Sequence, residues 1–258
     1  MKDVSKNLGS LTAANAPSIP STVDREAFQA ELDKLLVREK ALTHESDAVA
    51  AARRRMPMVE VDASIPLVGP HGPVTLLETF EGRRMLMAYF HMWHGGQPAS
   101  GQCEGCTFNN TQVRELSYLH SRDVTYATFC EGPYEKSIRY HDFLDLDAPW
   151  YSAQDSADAL LARRDFGMLV CYLRDGDRVF ETYWTTGRGN EIMGNSLLML
   201  DRTIYGRQEP WEDSPEGWPQ PFGDGDPMSH QFTLNGRPIA QWPRLAAGRS
   251  DDLGPAER

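Results

Sequence analysis

The chemistry in this sequence is concentrated in four consecutive residues, Cys103-Glu104-Gly105-Cys106. Helical spacing after Cys103 predicts that the motif begins a helix, where unpaired backbone N–H groups and a partial positive charge stabilise a thiolate. Cys103 is therefore the predicted nucleophile. Cys106 lies one turn further on the same helix face, so it could attack a mixed disulfide at Cys103 and resolve it. Glu104 acts in the opposite direction, because a neighbouring carboxylate disfavours a thiolate.

Two histidines lie in the segment that leads from the preceding strand to the motif. His91 or His94 could accept the proton of Cys103 or stabilise its thiolate. With both cysteines, they could instead complete a tetrahedral site for zinc or a soft site for copper, or they could be packing and loop residues. Trp93, from the same segment, is also expected beside the cysteines. No cofactor is required, and zinc or copper stays an open alternative.

Two further cysteines and an arginine are weaker candidates. Cys130 ends the next predicted strand, and parallel neighbours end at one edge of a sheet, so a third thiol could lie near the pair. A core position is the favoured interpretation for Cys130 and for Cys171, because free cysteine is among the most buried residue types. Arg164 precedes a predicted strand and could reach the site to bind an oxyanion or a peroxide, or it could be solvated.

Composition limits the classes of partner. The 258 residues carry a net charge of −11, which would repel a polyanionic duplex, so no nucleic-acid partner is expected. No apolar run is long enough to cross a membrane, and residues 1–16 lack the apolar core of a secretory signal. A cytoplasmic location is therefore expected. In that reducing compartment a Cys-x-x-Cys pair is typical of redox or metal chemistry.

The surrounding pattern predicts the elements that position the motif. An apolar run over 84–90 predicts a buried strand, helical spacing follows over 103–119, and a β-rich run over 123–130 predicts a second strand. Together they form a βαβ unit with parallel strands. Runs over 168–173 and 179–185 flank an Asp-Gly turn and predict an antiparallel hairpin. This order predicts an α/β, thioredoxin-like fold, a central mixed sheet flanked by helices.

Four segments are expected along the chain. Residues 1–20 are expected to form a flexible lead-in, and residues 21–56 an N-terminal helical arm. Residues 57–204 are expected to form the thioredoxin-like domain, and residues 205–258 an extended tail rich in Pro, Trp and Gly. The arm carries an apolar stripe that begins at Phe28, and we expect it to pack on the domain or on a second subunit. A homodimer is therefore a further expectation, since neither the arm nor the tail buries itself well alone.

Five stretches of sequence are specific in combination: Tyr-Phe-His-Met-Trp-His at 89–94, Gly-Gln-Cys-Glu-Gly-Cys-Thr at 101–107, Leu-His-Ser-Arg-Asp-Val-Thr at 119–125, Tyr-Leu-Arg-Asp-Gly-Asp-Arg-Val-Phe-Glu-Thr-Tyr at 172–183, and Tyr-Gly-Arg-Gln-Glu at 205–209. In them the chain resembles a bacterial thioredoxin-like family known as domain of unknown function 899. The resemblance implies the fold and names no activity.

The motif departs from those of better-known relatives. Thioredoxins carry Trp before the first cysteine, where this chain has Gln102, and a cis-Pro that faces the motif, where Phe166-Gly167 is expected here. Peroxiredoxins carry Pro seven and Thr three residues before the reactive cysteine, and this chain has Gly96 and Ser100 at those places. Ser100 could replace the threonine.

These observations favour a thiol-disulfide oxidoreductase or a peroxidase-like enzyme. Cys103 would attack a small thiol, disulfide or peroxide substrate, and Cys106 would resolve the product. The second hypothesis is a metal-binding thioredoxin-like protein that holds zinc or copper with the cysteines and nearby histidines. The third is a non-enzymatic binding module that has kept the fold.

Overall fold

A computed structural model of the chain describes residues 18–219 and 231–255. The helices are α1 (Arg25–Arg53), α2 (Glu104–Gln112), α3 (Ser117–His120), α4 (Tyr134–Leu144), α5 (Ala157–Leu161), α6 (Asn195–Leu200) and α7 (Gln241–Ala246). The strands are β1 (Val59–Val61), β2 (Pro66–Gly69), β3 (Gly72–Thr75), β4 (Met85–His91), β5 (Val124–Cys130), β6 (Trp150–Ser152), β7 (Met168–Asp175), β8 (Arg178–Thr186), β9 (Thr233–Leu234) and β10 (Arg237–Pro238). Of the predicted lead-in, residues 1–17 lie outside the described residues.

The first eight strands form one mixed sheet in the order β1-β8-β7-β4-β5-β6-β2-β3. The central strands β4 and β5 are parallel, whereas β7 runs antiparallel to β4 and pairs with β8 as a hairpin. The predicted βαβ unit and hairpin are thus confirmed, and with them the thioredoxin-like α/β fold. None of the helices in the described residues has the length and apolar character needed to cross a bilayer.

The two central strands end at the edge of the sheet where α2 begins. Both are almost completely buried, which explains why β4 is a continuous apolar run and why β5, although it contains Thr125 and Thr128, shows no alternation of apolar and polar residues. Their register pairs His91 with Cys130. The next residue after β4, Met92, donates its backbone N–H to the sulfur of Cys106 at 3.4 Å. The sheet edge therefore fixes the first turn of α2.

Helix α1 is the predicted N-terminal arm, and none of its 29 residues is buried. Its first turn is capped by Asp24, which accepts the backbone N–H of Ala27 at 2.8 Å. The apolar stripe stays exposed, and Phe28 keeps 48% of its surface accessible. Packing of the stripe on the domain is therefore not seen in the described residues, and packing on a second subunit stays a prediction.

The C-terminal segment is more structured than the predicted extended tail. Strands β9 and β10 form a short antiparallel hairpin, and α7 follows it directly. Leu253 is buried beside Phe143 of α4, and Gln241 of α7 has no accessible surface. A wholly extended tail is therefore wrong for residues 231–255, because buried side chains hold this part of the chain against the domain.

Candidate functional site

Cys103 is the N-cap residue of α2. The thiol of Cys106 donates a hydrogen bond to its Sγ, and the backbone N–H of Cys106 donates to the same sulfur at 3.4 Å. These hydrogen bonds outweigh the opposing effect of burial, and the charge of His94 adds to them, so the pKa of Cys103 is lowered to about 7. A substantial fraction of Cys103 is therefore a thiolate at neutral pH.

Cys106 lies in the opposite environment, with only 2% of its surface accessible. Its sulfur accepts the backbone N–H of Met92 and has the hydroxyl of Tyr89 as a second hydrogen-bond partner. Asn109 donates to that hydroxyl at 2.9 Å. Burial raises the pKa of Cys106 well above its ordinary value, and the neighbouring sulfur of Cys103 raises it further. Both thiols are free, so the structure shows the reduced pair.

A methionine covers the nucleophile. The Sδ atom of Met92 lies 3.9 Å from the Sγ atom of Cys103. A Cβ atom on Gly167 would lie 3.2 Å from this Sδ, and Gly167 has φ +88°, a conformation that favours glycine. The Phe166-Gly167 segment, predicted to face the motif, thus meets it through Met92. No peptide bond within 18–219 or 231–255 is cis.

His91 is a buried packing residue. The Oδ1 atom of Asn110 accepts hydrogen bonds from the hydroxyls of Tyr126 and Thr128, so its Nδ2 group faces His91 Nδ1 at 2.9 Å and donates to it. The proton of the neutral ring is then on Nε2, which has no hydrogen-bond partner among the described residues. Burial lowers the pKa of His91 to about 3. This corrects the prediction that His91 accepts the proton of Cys103 or binds a metal, since the structure bonds it to neither sulfur.

His94 lies nearer to the nucleophile. Its Nδ1 atom donates to the carbonyl oxygen of Gly101 at 2.7 Å, and its charge lowers the pKa of Cys103. The side chain of Gln102 holds the loop by bonding both the backbone N–H and the carbonyl of His94, each at 3.0 Å. The structure thus gives His94 an electrostatic role at the thiolate.

The geometry does not favour the predicted zinc or copper site. Across the described ranges, no group of three or more His, Cys, Asp or Glu side chains is arranged so that it could hold a metal ion. A site made by Cys103 and Cys106 with both histidines would need His91 beside the sulfurs, but its Nδ1 atom is already bonded to Asn110.

Cys130 and Trp93 lie together in an aromatic cluster with Tyr140, separate from the cluster that contains Cys106. Cys130 has no accessible surface, and burial raises its pKa to about 12. The ring of Trp93 packs so closely on Gly132 that a Cβ atom there would lie 2.4 Å from it. Both residues therefore pack the strand end. This agrees with the core position favoured for Cys130 over a third thiol beside the pair, and it corrects the expectation that Trp93 lies beside the cysteines.

Arg164 and Ser100 do not join the sulfurs either. The guanidinium of Arg164 makes two hydrogen bonds to the carboxylate of Glu181, at 2.7 and 2.6 Å, on β8. Arg164 is therefore held in an ion pair with Glu181. This corrects the prediction that Arg164 reaches the site and binds an oxyanion or a peroxide there. Ser100 lies in the short turn Ala99–Gly101, and within the described residues no hydrogen bond joins it to Cys103, so its role stays a prediction.

Comparison with known proteins places the chain in a family. The family described as bacterial protein of unknown function, DUF899, matches residues 17–224. The chain belongs to this family. No curated protein matches it.

Solved structures similar to this chain include peroxidoxin BcpB from Mycobacterium tuberculosis. It has 17% identity over 56% of this chain and 99% of that chain, with a TM-score of 0.37. Peroxiredoxin Q from Xanthomonas campestris follows at 13% identity, over 54% and 92% of the two chains, with a TM-score of 0.37. A thioredoxin-like protein from Aeropyrum pernix follows at 13% identity, over 62% and 99%, with a TM-score of 0.34. These similarities are distant, so the fold assignment rests on the sheet order described above.

The DUF899 chain also has site residues that the sequence did not indicate. Thr107 donates to the carbonyl of Cys103 at 2.7 Å, and its hydroxyl lies 2.6 Å from that of Tyr140. The buried amide of Gln241 donates to the Tyr140 hydroxyl at 2.8 Å and to the carbonyl of Ala99 at 2.7 Å. The C-terminal segment is therefore tied to the start of α2. These partners are 101 and 142 positions apart in the sequence, so no local pattern could have revealed them.

Proposed function

We propose that this protein is a thiol-disulfide oxidoreductase that uses Cys103 as the nucleophile and Cys106 as the resolving thiol. The observation that carries the proposal is the inequality of the two sulfurs. One has a pKa of about 7 at a helix start, and the other is buried with a raised pKa and donates to the first. A low-pKa attacking thiol next to a protected second thiol is the arrangement that a two-step dithiol exchange requires.

The reaction proceeds in two exchanges. The Cys103 thiolate attacks one sulfur of a substrate disulfide, which forms a mixed disulfide and releases the other half of the substrate as a thiolate. Cys106 then loses its proton to that released thiolate or to solvent, attacks the sulfur of Cys103, and releases the second half. The substrate gains two electrons and becomes two thiols, while the protein becomes the Cys103–Cys106 disulfide. A small external thiol or dithiol returns the pair to its reduced form.

The surroundings of Cys103 favour a small substrate. Cys103 is only partly accessible, and the thioether of Met92 lies 3.9 Å from its sulfur. A folded protein disulfide would have to displace Met92 and the loop held by Gln102, whereas a small disulfide needs less room. Peroxide reduction by the same pair is less well supported, because Arg164, the candidate for binding a peroxide, is engaged by Glu181.

The proposal is tested by equilibrating the purified protein, without chelator, in a graded thiol redox buffer and mapping alkylated cysteines by mass spectrometry. We expect Cys103 and Cys106 to convert together into one intramolecular disulfide, at a potential of about −200 to −300 mV. We also expect Cys103→Ser to abolish reduction of a small disulfide substrate. Cys171→Ser is the matched control, because burial raises the pKa of Cys171 to about 11 and it lies mid-strand in β7.

Two outcomes would refute the proposal. The first is a pair that stays as free thiols across the whole range of potentials. The second is a Cys103→Ser protein that reduces the small disulfide as fast as the Cys171→Ser protein. If the pair resists alkylation until a chelator is added, the metal-binding hypothesis replaces this one.

A further inference from the structure

A second feature of the molecule is a cavity that contains neither sulfur of the motif. It has a volume of about 450 Å³ and lies between α2, α6 and the C-terminal segment. Its walls are largely apolar and include Phe108, Leu197, Leu200 and Ile239. The cavity has the size of a small-molecule site.

The C-terminal segment forms one wall of this cavity through specific contacts. The ring of Phe232 stacks on that of Phe108, with ring centres 4.2 Å apart and planes inclined by 10°. Thr233 donates a hydrogen bond to Glu104, the residue that follows the nucleophile. The wall is therefore held in place by a stacked ring pair and a side-chain hydrogen bond, so the cavity is a built part of the structure.

The charged residues that line the cavity differ in how they are neutralised. Glu104 and Glu209 each accept a hydrogen bond from a neighbouring side chain, and Arg207 pairs with two carboxylates. Arg244 has no ion-pair partner in the described residues. Its Nε and Nη1 atoms each donate to a backbone carbonyl at 3.0 Å, which leaves the Nη2 group for another acceptor. Burial lowers the pKa of Arg244, and the charges of Arg114 and Arg249 lower it further, whereas the carboxylate of Asp145 raises it.

We propose that this cavity binds a small molecule with an apolar body and a single carboxylate, such as a medium-chain fatty acid. The Nη2 group of Arg244 donates to the carboxylate, because Nε and Nη1 already donate to backbone carbonyls and Arg244 has no ion-pair partner in the described residues. The apolar chain lies between Phe108 of α2 and Leu197 of α6. This inference does not depend on the thiol chemistry proposed above, since neither Cys103 nor Cys106 is among the described residues that line the cavity.

The test compares dodecanoate with dodecanol, which has the same chain and no charge. Each is titrated below its critical micelle concentration into the full-length protein in a calorimeter. We expect wild-type protein to bind dodecanoate at least tenfold more tightly than dodecanol. In Arg244→Gln this preference should disappear, with dodecanoate weakened and dodecanol unchanged. Arg178→Gln is the matched control and should keep the wild-type preference, because its guanidinium pairs with Glu60 of β1, outside the cavity.

A second variant tests the place of binding. Leu197→Trp puts a larger side chain into the apolar wall, and it should weaken both ligands while leaving the alkylation rate of Cys103 unchanged. The proposal is overturned if wild-type protein binds neither ligand, which would mean that another part of the chain fills the cavity. It is overturned as well if wild-type protein binds both ligands equally, or if Arg244→Gln lowers both affinities by the same factor.

Discussion

Near the ends of β4 and β5, Cys103 behaves in the opposite way to the buried pair His91 and Cys130. At the start of α2, Cys103 receives N–H and S–H donors and keeps some access to solvent, so its pKa falls to about 7. At the strand ends, His91 and Cys130 are paired in register and enclosed by aromatic rings, so both are held neutral. The difference teaches that hydrogen-bond donors and burial, more than residue type, decide which group at this edge can react.

The largest effect expected from this comparison is in thiol reactivity. With pKa values of about 7 and about 12, Cys103 and Cys130 should differ at pH 7 in thiolate fraction by about 10⁴-fold or more. The thiolate of lower pKa is the weaker nucleophile, so we expect Cys103 to be alkylated about 100-fold faster or more. Mass spectrometry of iodoacetamide-treated native protein measures both rates. The rate at Cys103 should fall as the pH drops through 7, because protonation removes the thiolate. Rates within tenfold of each other would contradict the comparison.

The neutral state of buried His91 can be tested through the pH dependence of the free energy of unfolding. Below pH 6.5 an unfolded chain protonates His91, whereas the folded chain holds it neutral down to about pH 3. The free energy of unfolding should therefore fall with decreasing pH across this window, by about 1.4 kcal/mol per pH unit from this residue. Urea unfolding of His91→Gln should show a flatter pH dependence than wild type. His44→Gln, on exposed α1, is the control, and an equal flattening there would contradict the assignment.

Glycine substitutions sharpen the comparison further. A Cβ atom at Gly132 would lie 2.4 Å from the ring of Trp93, so Gly132→Ala should destabilise the protein by about 1–3 kcal/mol. Gly105, in the first turn of α2, has nothing within 4 Å of a built Cβ, so Gly105→Ala should be neutral or stabilising by about 0.5–1 kcal/mol. Thermal unfolding measures both, and the same sign for both variants would contradict the packing described for the strand end.

The smallest expected effect concerns Gln241, through which the C-terminal segment contacts the turn before Cys103. Gln241→Leu removes the hydrogen bonds to Tyr140 and Ala99, which loosens the turn before Cys103 and should raise its alkylation rate severalfold. The alkylation of Cys171, which lies in β7 away from this amide, should stay unchanged. An unchanged rate at Cys103, in a protein that still folds, would show that the C-terminal segment does not shield the nucleophile.

The central part of the fold could be predicted because its signals are local. The apolar run of β4, the β-rich run of β5 and the Asp-Gly turn between β7 and β8 each specify their structure within about ten residues. The helix start at Cys103 was indicated in the same way. These elements then determine the sheet edge at which the motif lies, since adjacent parallel strands end together.

The rest could not be predicted because it depends on partners distant in sequence. Whether His91 faces the sulfurs or the core depends on the amide of Asn110, and the fate of Arg164 depends on Glu181 in another strand. Arg164 and Arg163 look alike in the sequence, and no periodicity identifies which carboxylate either will meet. The order of the C-terminal segment likewise depends on contacts with α2 and α4 that only the folded chain brings together.

The link between Gln241 and the turn before Cys103 also bears on how the protein is made. Synthesis runs from the N-terminus, so both motif cysteines leave the ribosome before Gln241, which closes over residues 142 and 101 positions earlier. At about 5–20 residues per second, the delay lasts roughly seven seconds or more. We therefore expect the thiols to be most open to cellular oxidants while the chain is still nascent, and pulse alkylation of ribosome-bound chains would measure this.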